Sequence, residues 1–336
     1  MAREGKPMKV LIAGAGAIGA YLGARMAHAG QDVTLFARGP HLRAMQQNGV
    51  RVESADESFD AHPRIVADLA EARPVDVVFL GVKAQGLPAL APLLAPVLGP
   101  QTTVVSTQNG VPWWFFQGTG GPLEGARLER VDPGGVITAA IEPRRVIGSI
   151  VYFATEIVRP GVVRHTEGDR ISLGEPDGSR SERVRQIAKA LVAAGLRAPV
   201  STRIRNEIWV KLLGNAAFNP ISVLTRATLA QMTSDSAVSA LARAIMQEVA
   251  AVASALGLEL PITIEQRMAG AASVGEHKTS MLQDLEASRP LELEAVVGAV
   301  VELGERLNIP MPHTGTVYAC AKLLAQGLAA APATRS

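Results

Sequence analysis

One cysteine, Cys320, stands in a chain of 336 residues, which excludes an internal disulfide framework and a cysteine-based zinc site. The six histidines (His28, His41, His62, His165, His277 and His313) show no metal-ligand spacing, so no metal is expected. Charge is scarce as well: Asp, Glu, Lys and Arg make up 19% of the chain, against an average of about 25%. The 33 basic and 31 acidic residues leave a net charge of +2, too balanced for a general nucleic-acid binder. Outside residues 10–24, no stretch approaches the ~20 continuous apolar residues of a membrane span. No nucleophile–base motif suggests a hydrolase. Aromatics supply only 4%, so the 48% hydrophobic content rests on Ala, Val, Leu and Ile. With so little net charge, that content excludes a disordered chain. The expectation is a soluble, cytoplasmic, globular protein of about two domains, at roughly 150 residues each.

Glycine is abundant, at 32 residues. Gly14, Gly16, Gly19 and Gly23 fall in the uncharged stretch 10–24, which follows Arg3, Lys6 and Lys9. A basic start before an apolar centre resembles a secretory signal. Each glycine would weaken a signal helix by about 1 kcal/mol relative to alanine, whereas a phosphate-binding turn needs glycine. The strand–turn–helix reading is preferred.

Through the first half, short apolar runs alternate with helical stretches. Residues 9–13 read as a strand, 17–30 as a helix, and 32–37 and 75–82 as further strands, nearly all apolar as buried parallel strands are. Residues 85–98 read as a helix made irregular by Pro88, Pro92 and Pro96, and 102–107 as another β-branched run. This rhythm predicts a parallel sheet covered on both faces. From 146 to 173, strands broken at Arg159-Pro160-Gly161 and Glu167-Gly168-Asp169 predict antiparallel hairpins added to it. A helix over 180–194 and a last strand over 196–201 follow. Strand signals then stop, and 203–218, 236–256, 262–272, 280–285, 291–307 and 314–328 read as helices. The expected division is an α/β domain over 1–201, a helical domain over 202–328 and a frayed tail over 329–336.

Gly14-Ala15-Gly16-Ala17-Ile18-Gly19 is a GxGxxG that follows a strand and opens a helix. Gly14 permits the tight turn, Gly16 lets the backbone approach a pyrophosphate, and Gly19 lets helix and strand pack closely. The phosphates would sit at the helix N-terminus, where unpaired amides favour negative charge. An NAD enzyme carries an acid about 20 residues on, for the ribose 2′-hydroxyl. Here the second strand ends Thr34-Leu35-Phe36-Ala37-Arg38, with an arginine instead. Arg38 suits a 2′-phosphate, with His41 or Arg43 as helpers, so the cofactor expected is NADP(H). Lys83 and Asn109-Gly110 lie just beyond two later strands, where ligands of open parallel sheets bind. Taken alone, they also read as a surface charge and a turn.

In the segment 203–218, apolar residues cover most of a helical circumference, so the helix should be buried. Glu207, Lys211, Asn215 and Asn219 recur every four residues and form one narrow polar stripe, before Pro220 stops or kinks the helix. The stripe would line a cleft or form the helix's wet face. Hydride delivery to a ketone builds negative charge on oxygen, which a protonated lysine stabilises and quenches. Lys211 is the candidate for that role.

These residues resemble the ketopantoate reductase family (2-dehydropantoate 2-reductases). The resemblance runs through GAGAIG at 14–19, LFARG ending at Gly39, LGVKAQ around Lys83 and QNG at 108–110, then NEIWVKLLGNAAFNP at 206–220 and HKTSMLQDLEASRPLELE at 277–294. It implies a Rossmann-type doubly wound domain followed by an all-α domain like that of 6-phosphogluconate dehydrogenase. It further implies NADPH-dependent reduction of 2-oxopantoate to pantoate, for pantothenate and coenzyme A synthesis. The family pattern places the catalytic lysine on Lys211, the 2′-phosphate arginine on Arg38, and cofactor-side positions on Lys83 and Asn109. The resemblance implies that both lie near the reacting centre, and that Asn109 and Lys211 also contact the substrate. Asn215 and Asn219 match substrate-pocket amides, Ser280 a substrate-contacting serine, and Glu292 the acid that organises the active-site hydrogen bonds. A homodimer through the helical domain is a family-level expectation.

Several positions depart from the pattern. His277 stands where many members have asparagine, Val297 replaces the asparagine before Gly298, and Thr225-Arg226 replaces a Thr-Gly pair. Ser280-Met281-Leu282-Gln283 also reads as a capping box, and Glu292 as a first-turn acid. Trp113-Trp114-Phe115-Phe116 reads as packing or as the wall of an altered pocket, and Cys320 as packing in an apolar helix. The competing functions are reduction of another branched 2-oxo acid or ketone, and a catalytically silent NADPH-binding regulator. Lys211 and Glu292 speak against silence.

Overall fold

A computed structural model describes residues 6–121 and 123–330. The chain forms two compact units. One comprises the chain up to Gln108 with Trp113–Ala126 and Gly134–Ile204; the other comprises Asn109–Pro112, Arg127–Pro133 and the chain from Arg205.

The first unit is built on β1 (Lys9–Ala13), β2 (Asp32–Phe36), β3 (Val50–Glu53), β4 (Ser58–Ala61), β5 (Arg64–Val66), β6 (Val77–Leu80), β7 (Thr103–Ser106), β8 (Val146–Arg159) and β9 (Val162–Gly174), in the order β4-β3-β9-β8-β7-β6-β1-β2-β5. The stretch β5-β2-β1-β6-β7-β8 is parallel throughout, the doubly wound order of a dinucleotide-binding sheet. Val10, Leu11, Ile12 and Ala13 are all fully buried, so apolar layers cover both faces of β1. One layer is formed with α1 (Ala17–His28) and α5 (Glu182–Ala193), through Tyr21, Leu22, Ile187 and Leu191. Along the chain, α2 (Gly39–Asn48), α3 (Leu87–Leu90) and α4 (Val136–Ala140) come between these two helices. The proline-rich segment 84–97 breaks into α3 between two 3-10 turns.

Three sequence expectations change in this unit. β3, β4 and β5 were not foreseen; each is only three or four residues long, and charged residues dilute its apolar signal. Gly168 does not end a strand. It lies within β9 at φ +70°, beside a register shift opposite Tyr152–Ala154, so β8 and β9 make one hairpin with a bulge. Residues 196–201 form only isolated bridges, Arg197 to Arg170 and Val200 to Leu173, because Pro199 between them has no N–H for a ladder. Trp113, Trp114, Phe115 and Phe116 are all at most 4% exposed. Trp114 Nε1 donates to Ser106 Oγ at 2.9 Å, and the ring fills the space that Gly148 leaves open. The cluster is packing.

The second unit is helical: α6 (Ile204–Thr225), α7 (Leu229–Ser234), α8 (Ser236–Ala255), α9 (Ile264–Ser273), α10 (Ser280–Glu286), α11 (Ala299–Leu307) and α12 (Pro312–Ala330). Pro220 does not stop α6, which runs on to Thr225. Burial of Ala216, Ala217, Phe218, Ile221 and Val223 around it offsets the one backbone bond a proline removes. By length and composition α8 alone among the described helices could cross a membrane, yet Ile245, Met246, Val249 and Val252 are buried and Val249 O accepts Trp209 Nε1 at 3.1 Å. Cys320 is exposed, not packed: it sits on the outer face of α12. Of the expected tail, Ala329 and Ala330 belong to α12, and 331–336 lie outside the described residues.

Candidate functional site

In the first unit, the loops at the carboxyl ends of β1, β2, β6 and β7 carry the glycine turn, Arg38, Lys83 and Gln108. Gly14 has φ +111°, and a Cβ there would lie 2.5 Å from Val82 Cγ1. A Cβ on Gly19 would lie 2.2 Å from Gly14 O, and one on Gly81 would strike the same oxygen at 2.2 Å. The turn is thus pinned between α1 and the exit of β6, the point where the sheet's winding reverses. Ala15 N donates to Phe36 O at 2.8 Å and Ala20 N to Gly16 O at 2.8 Å, fixing the turn and opening α1. Over Gly16 there is open space: a Cβ would meet only Gly81 O, at 3.9 Å. The first turn of α1, with Ala17 and Ile18, holds no acid. These features fit a dinucleotide pyrophosphate.

Arg38 is exposed at the end of β2, its guanidinium 5.3 Å above the Phe36 ring. Arg43 is exposed on α2. His41 is committed elsewhere: its Nδ1 accepts Gly161 N at 2.9 Å, and burial holds its pKa below the usual histidine value. Lys83 is half-buried and begins the turn Ala84–Gly86. Gln108 Nε2 donates to Leu80 O at 2.6 Å and Val82 O at 2.8 Å, and Thr107 Oγ1 to Leu80 O at 2.6 Å. Those bonds lock the approach to Lys83.

In the second unit the stripe on α6 is real. Glu207, Lys211 and Asn215 are half-buried and Asn219 is 5% exposed, on a helix otherwise buried around them. Burial lowers the Lys211 pKa from 10.5 to about 8; the Glu292 carboxylate opposes this, and the Arg267 guanidinium adds to it. Asn109 Nδ2 donates to Glu292 Oε2 at 3.3 Å. Next to it, Gly110 has φ +86° and a Cβ there would lie 2.2 Å from Ala295 O, while Val111 N donates to that oxygen at 2.9 Å. The Asn109 loop is therefore docked on the π-helical turn Glu294–Gly298 that follows Glu292. Glu292 precedes the helix rather than lying in its first turn, and the Asp284–Arg289 ion pair at 3.0 Å shapes the loop leading to it.

Ser280 is exposed at the first position of α10, and the capping residue is its neighbour. Thr279 Oγ1 accepts Leu282 N at 3.2 Å, and it shares a 2.6 Å hydrogen bond with Ser222 Oγ of α6. Ser222 in turn donates to Asn219 O at 2.7 Å, so the start of α10 is held against the lower end of the polar stripe. Lys211, Glu292 and Asn109 come together, and the second anchor joins the Asn219 carbonyl to Thr279, the neighbour of Ser280. Arg267 of α9 was missed, because nothing in linear spacing relates it to Lys211. Gly214, a glycine in a helix interior, was the available signal.

Known proteins resemble this chain in sequence and fold. Residues 10–113 match the family pattern described as ketopantoate reductase PanE/ApbA, and 203–325 match its C-terminal counterpart. A 2-dehydropantoate 2-reductase of Mesorhizobium japonicum is 53% identical over 320 residues, covering 95% of this chain and 98% of the relative. The chain belongs to the ketopantoate reductase family. Among solved structures, a putative ketopantoate reductase from Ralstonia solanacearum superposes with a TM-score of 0.92 at 42% identity, covering 96% and 99% of the two chains. The 2-dehydropantoate 2-reductase from Methylococcus capsulatus does so with a TM-score of 0.82 at 31% identity, covering 96% and 98%. This family member is an oxidoreductase with an N-terminal Rossmann-like domain and a C-terminal helical domain.

Proposed function

We propose that this ketopantoate reductase family member reduces 2-oxopantoate to pantoate with NADPH, supplying pantothenate and coenzyme A synthesis. The observation that carries the reading is a half-buried lysine, Lys211, placed within reach of the Glu292 charge, while Glu292 is itself held by Asn109. Residues 1–201 serve NADP(H), with Gly14–Gly19 facing the pyrophosphate, Arg38 the 2′-phosphate and Lys83 the cofactor near the reacting centre. Residues 202–328 serve the substrate, joined by Asn109. The reduced nicotinamide, when bound, supplies a hydride to the C2 carbonyl carbon. Lys211 Nζ donates its proton to the carbonyl oxygen as the alcohol forms, and the neutral amine recovers a proton from solvent. Glu292 keeps that amine charged before the step and orients the Asn109 amide. Asn215, Asn219 and Ser280 contact the substrate. A homodimer in the cytoplasm completes the proposal; the lone Cys320 accords with a reducing compartment.

The test is a panel of 2-oxo acids with NADPH and NADH. Oxidation of NADPH that depends on 2-oxopantoate and falls by about 10²–10⁴-fold in Lys211→Ala is the expected outcome. Turnover of other 2-oxo acids without 2-oxopantoate would overturn the substrate, and a fully active Lys211→Ala the mechanism.

A further inference from the structure

Gly214 lies inside α6, three residues past Lys211 and one before Asn215, on the side of the helix that carries the polar stripe. A glycine there is unfavourable for the helix relative to alanine. The space it leaves is taken by Arg267 of α9: a Cβ on Gly214 would lie 2.1 Å from Nη2 and 2.4 Å from both Cζ and Nε. The guanidinium therefore lies against the bare backbone of α6. Arg267 is half-buried, and α9 is anchored on either side of it by the Thr263–Gln266 capping box and the buried Met268. Its charge reaches Lys211, whose pKa it lowers. Two cations thus share one helix face, one a compact ammonium and one a planar fork.

A 2-oxo acid presents two electron-rich groups on adjacent carbons, a ketone oxygen that gains charge during reduction and a planar carboxylate. A guanidinium matches a carboxylate with two parallel hydrogen bonds, which an ammonium cannot do. We propose that Arg267, seated on Gly214, binds the carboxylate of the 2-oxo acid and selects acids over neutral ketones, leaving the ketone oxygen to Lys211. The assignment rests on the 2-oxo acid reading of the site. It makes Arg267 a specificity residue and Gly214 the position that admits it.

The experiment compares kcat/KM for the 2-oxo acid and for its neutral methyl ester in the wild type, Arg267→Met, Arg267→Lys and Gly214→Ala, with NADPH saturating. In Arg267→Met the preference for the acid should collapse by on the order of 100-fold through the acid's KM, while the ester's kcat/KM changes by far less, by no more than the altered Lys211 titration brings. Arg267→Lys should recover part of that preference, since charge returns without the fork. Gly214→Ala keeps the arginine but occupies its seat, and should lower the preference in the same direction. An arginine that only ties α9 to α6 would lower acid and ester turnover equally; that result, or an unchanged preference in Arg267→Met and Gly214→Ala, overturns the proposal while leaving the 2-oxo acid reading intact. If the wild type turns over no 2-oxo acid, both fall.

Discussion

The proton-donating role of Lys211 makes a sharp statement about pH. With its pKa lowered to about 8 by burial, about nine-tenths of the lysine is protonated at pH 7 and about one-tenth at pH 9. Ketone reduction at saturating substrates should therefore fall with rising pH through a midpoint near 8. Alcohol oxidation with NADP+ needs the neutral amine as base and should rise through the same midpoint. Glu292→Gln removes the carboxylate that supports the charged form, and the loss of a close opposite charge moves a pKa by about one unit or more. The midpoint then drops to about 7 or lower. At pH 7.5 the protonated fraction falls from about three-quarters to about one-quarter, a threefold loss from titration alone, on top of any loss of orientation at Asn109. Stopped-flow single turnovers across pH 6–10 separate the two, because the titration loss disappears at low pH and the orientation loss does not. A forward rate that is level through pH 9.5, or a midpoint that rises in Glu292→Gln, would refute Lys211 as the donor.

Other expectations are simpler to read. Arg38→Ala should weaken NADPH by about 10–100-fold and NADH by little, as loss of charge-assisted bonds to a phosphate would; equal losses in isothermal titration would remove Arg38 from that role. Gly81→Ala places a methyl 2.2 Å from Gly14 O, so NADPH affinity should collapse while the helical unit keeps its folding signature in hydrogen exchange, and an unchanged affinity would contradict the pinned turn. Because folding lowers the Lys211 pKa from 10.5 to about 8, the folded chain carries a cost at neutral pH that is relieved as pH rises through that window, worth at most about 3.5 kcal/mol. Lys211→Met should accordingly abolish turnover without lowering the denaturation midpoint at pH 7; a large drop would mean that the lysine holds the fold together. Trp114→Phe loses the bond to Ser106 and some packing volume and should cost about 1–3 kcal/mol in chemical denaturation, with kcat unchanged.

The doubly wound half was legible because β1, β2, β6 and β7 are almost wholly buried and so read as runs that are nearly all apolar or β-branched, and because the glycine turn has few alternative uses. The short edge strands were not, since β4 and β5 have three or four residues each, charged residues interrupt their apolar pattern, and β5 pairs with β2 across the intervening α2, β3 and β4. Proline misled twice in opposite directions: Pro220 is carried through a helix by the burial around it, whereas Pro199 prevents a strand that the apolar pattern suggested. In the site, Lys211, Asn215 and Asn219 could be found because helical period places them on one stripe. Glu292 entered through resemblance alone, and Arg267 did not enter, since its relation to Lys211 exists only once α9 is laid on Gly214. Thr279 took the cap assigned to Ser280 because its hydroxyl also answers Ser222, a partner 57 positions away.

The composition of the second unit bears on how such a protein can be cut and recombined. A fragment beginning at Arg205 would keep Lys211, Arg267 and Glu292 but lose Asn109, the amide of Val111 on Ala295 O, and the backbone amides of Glu129 and Arg130 that Glu302 binds at 3.0 Å each. No single truncation yields the unit whole. A chimaera of two homologues joined between their halves would inherit its lysine from one parent and the asparagine that steadies its glutamate from the other. Each such splice sets residues from two parents against one another around Glu292 and Glu302, so a functional exchange of the helical unit has to carry residues 109–112 and 127–133 with it.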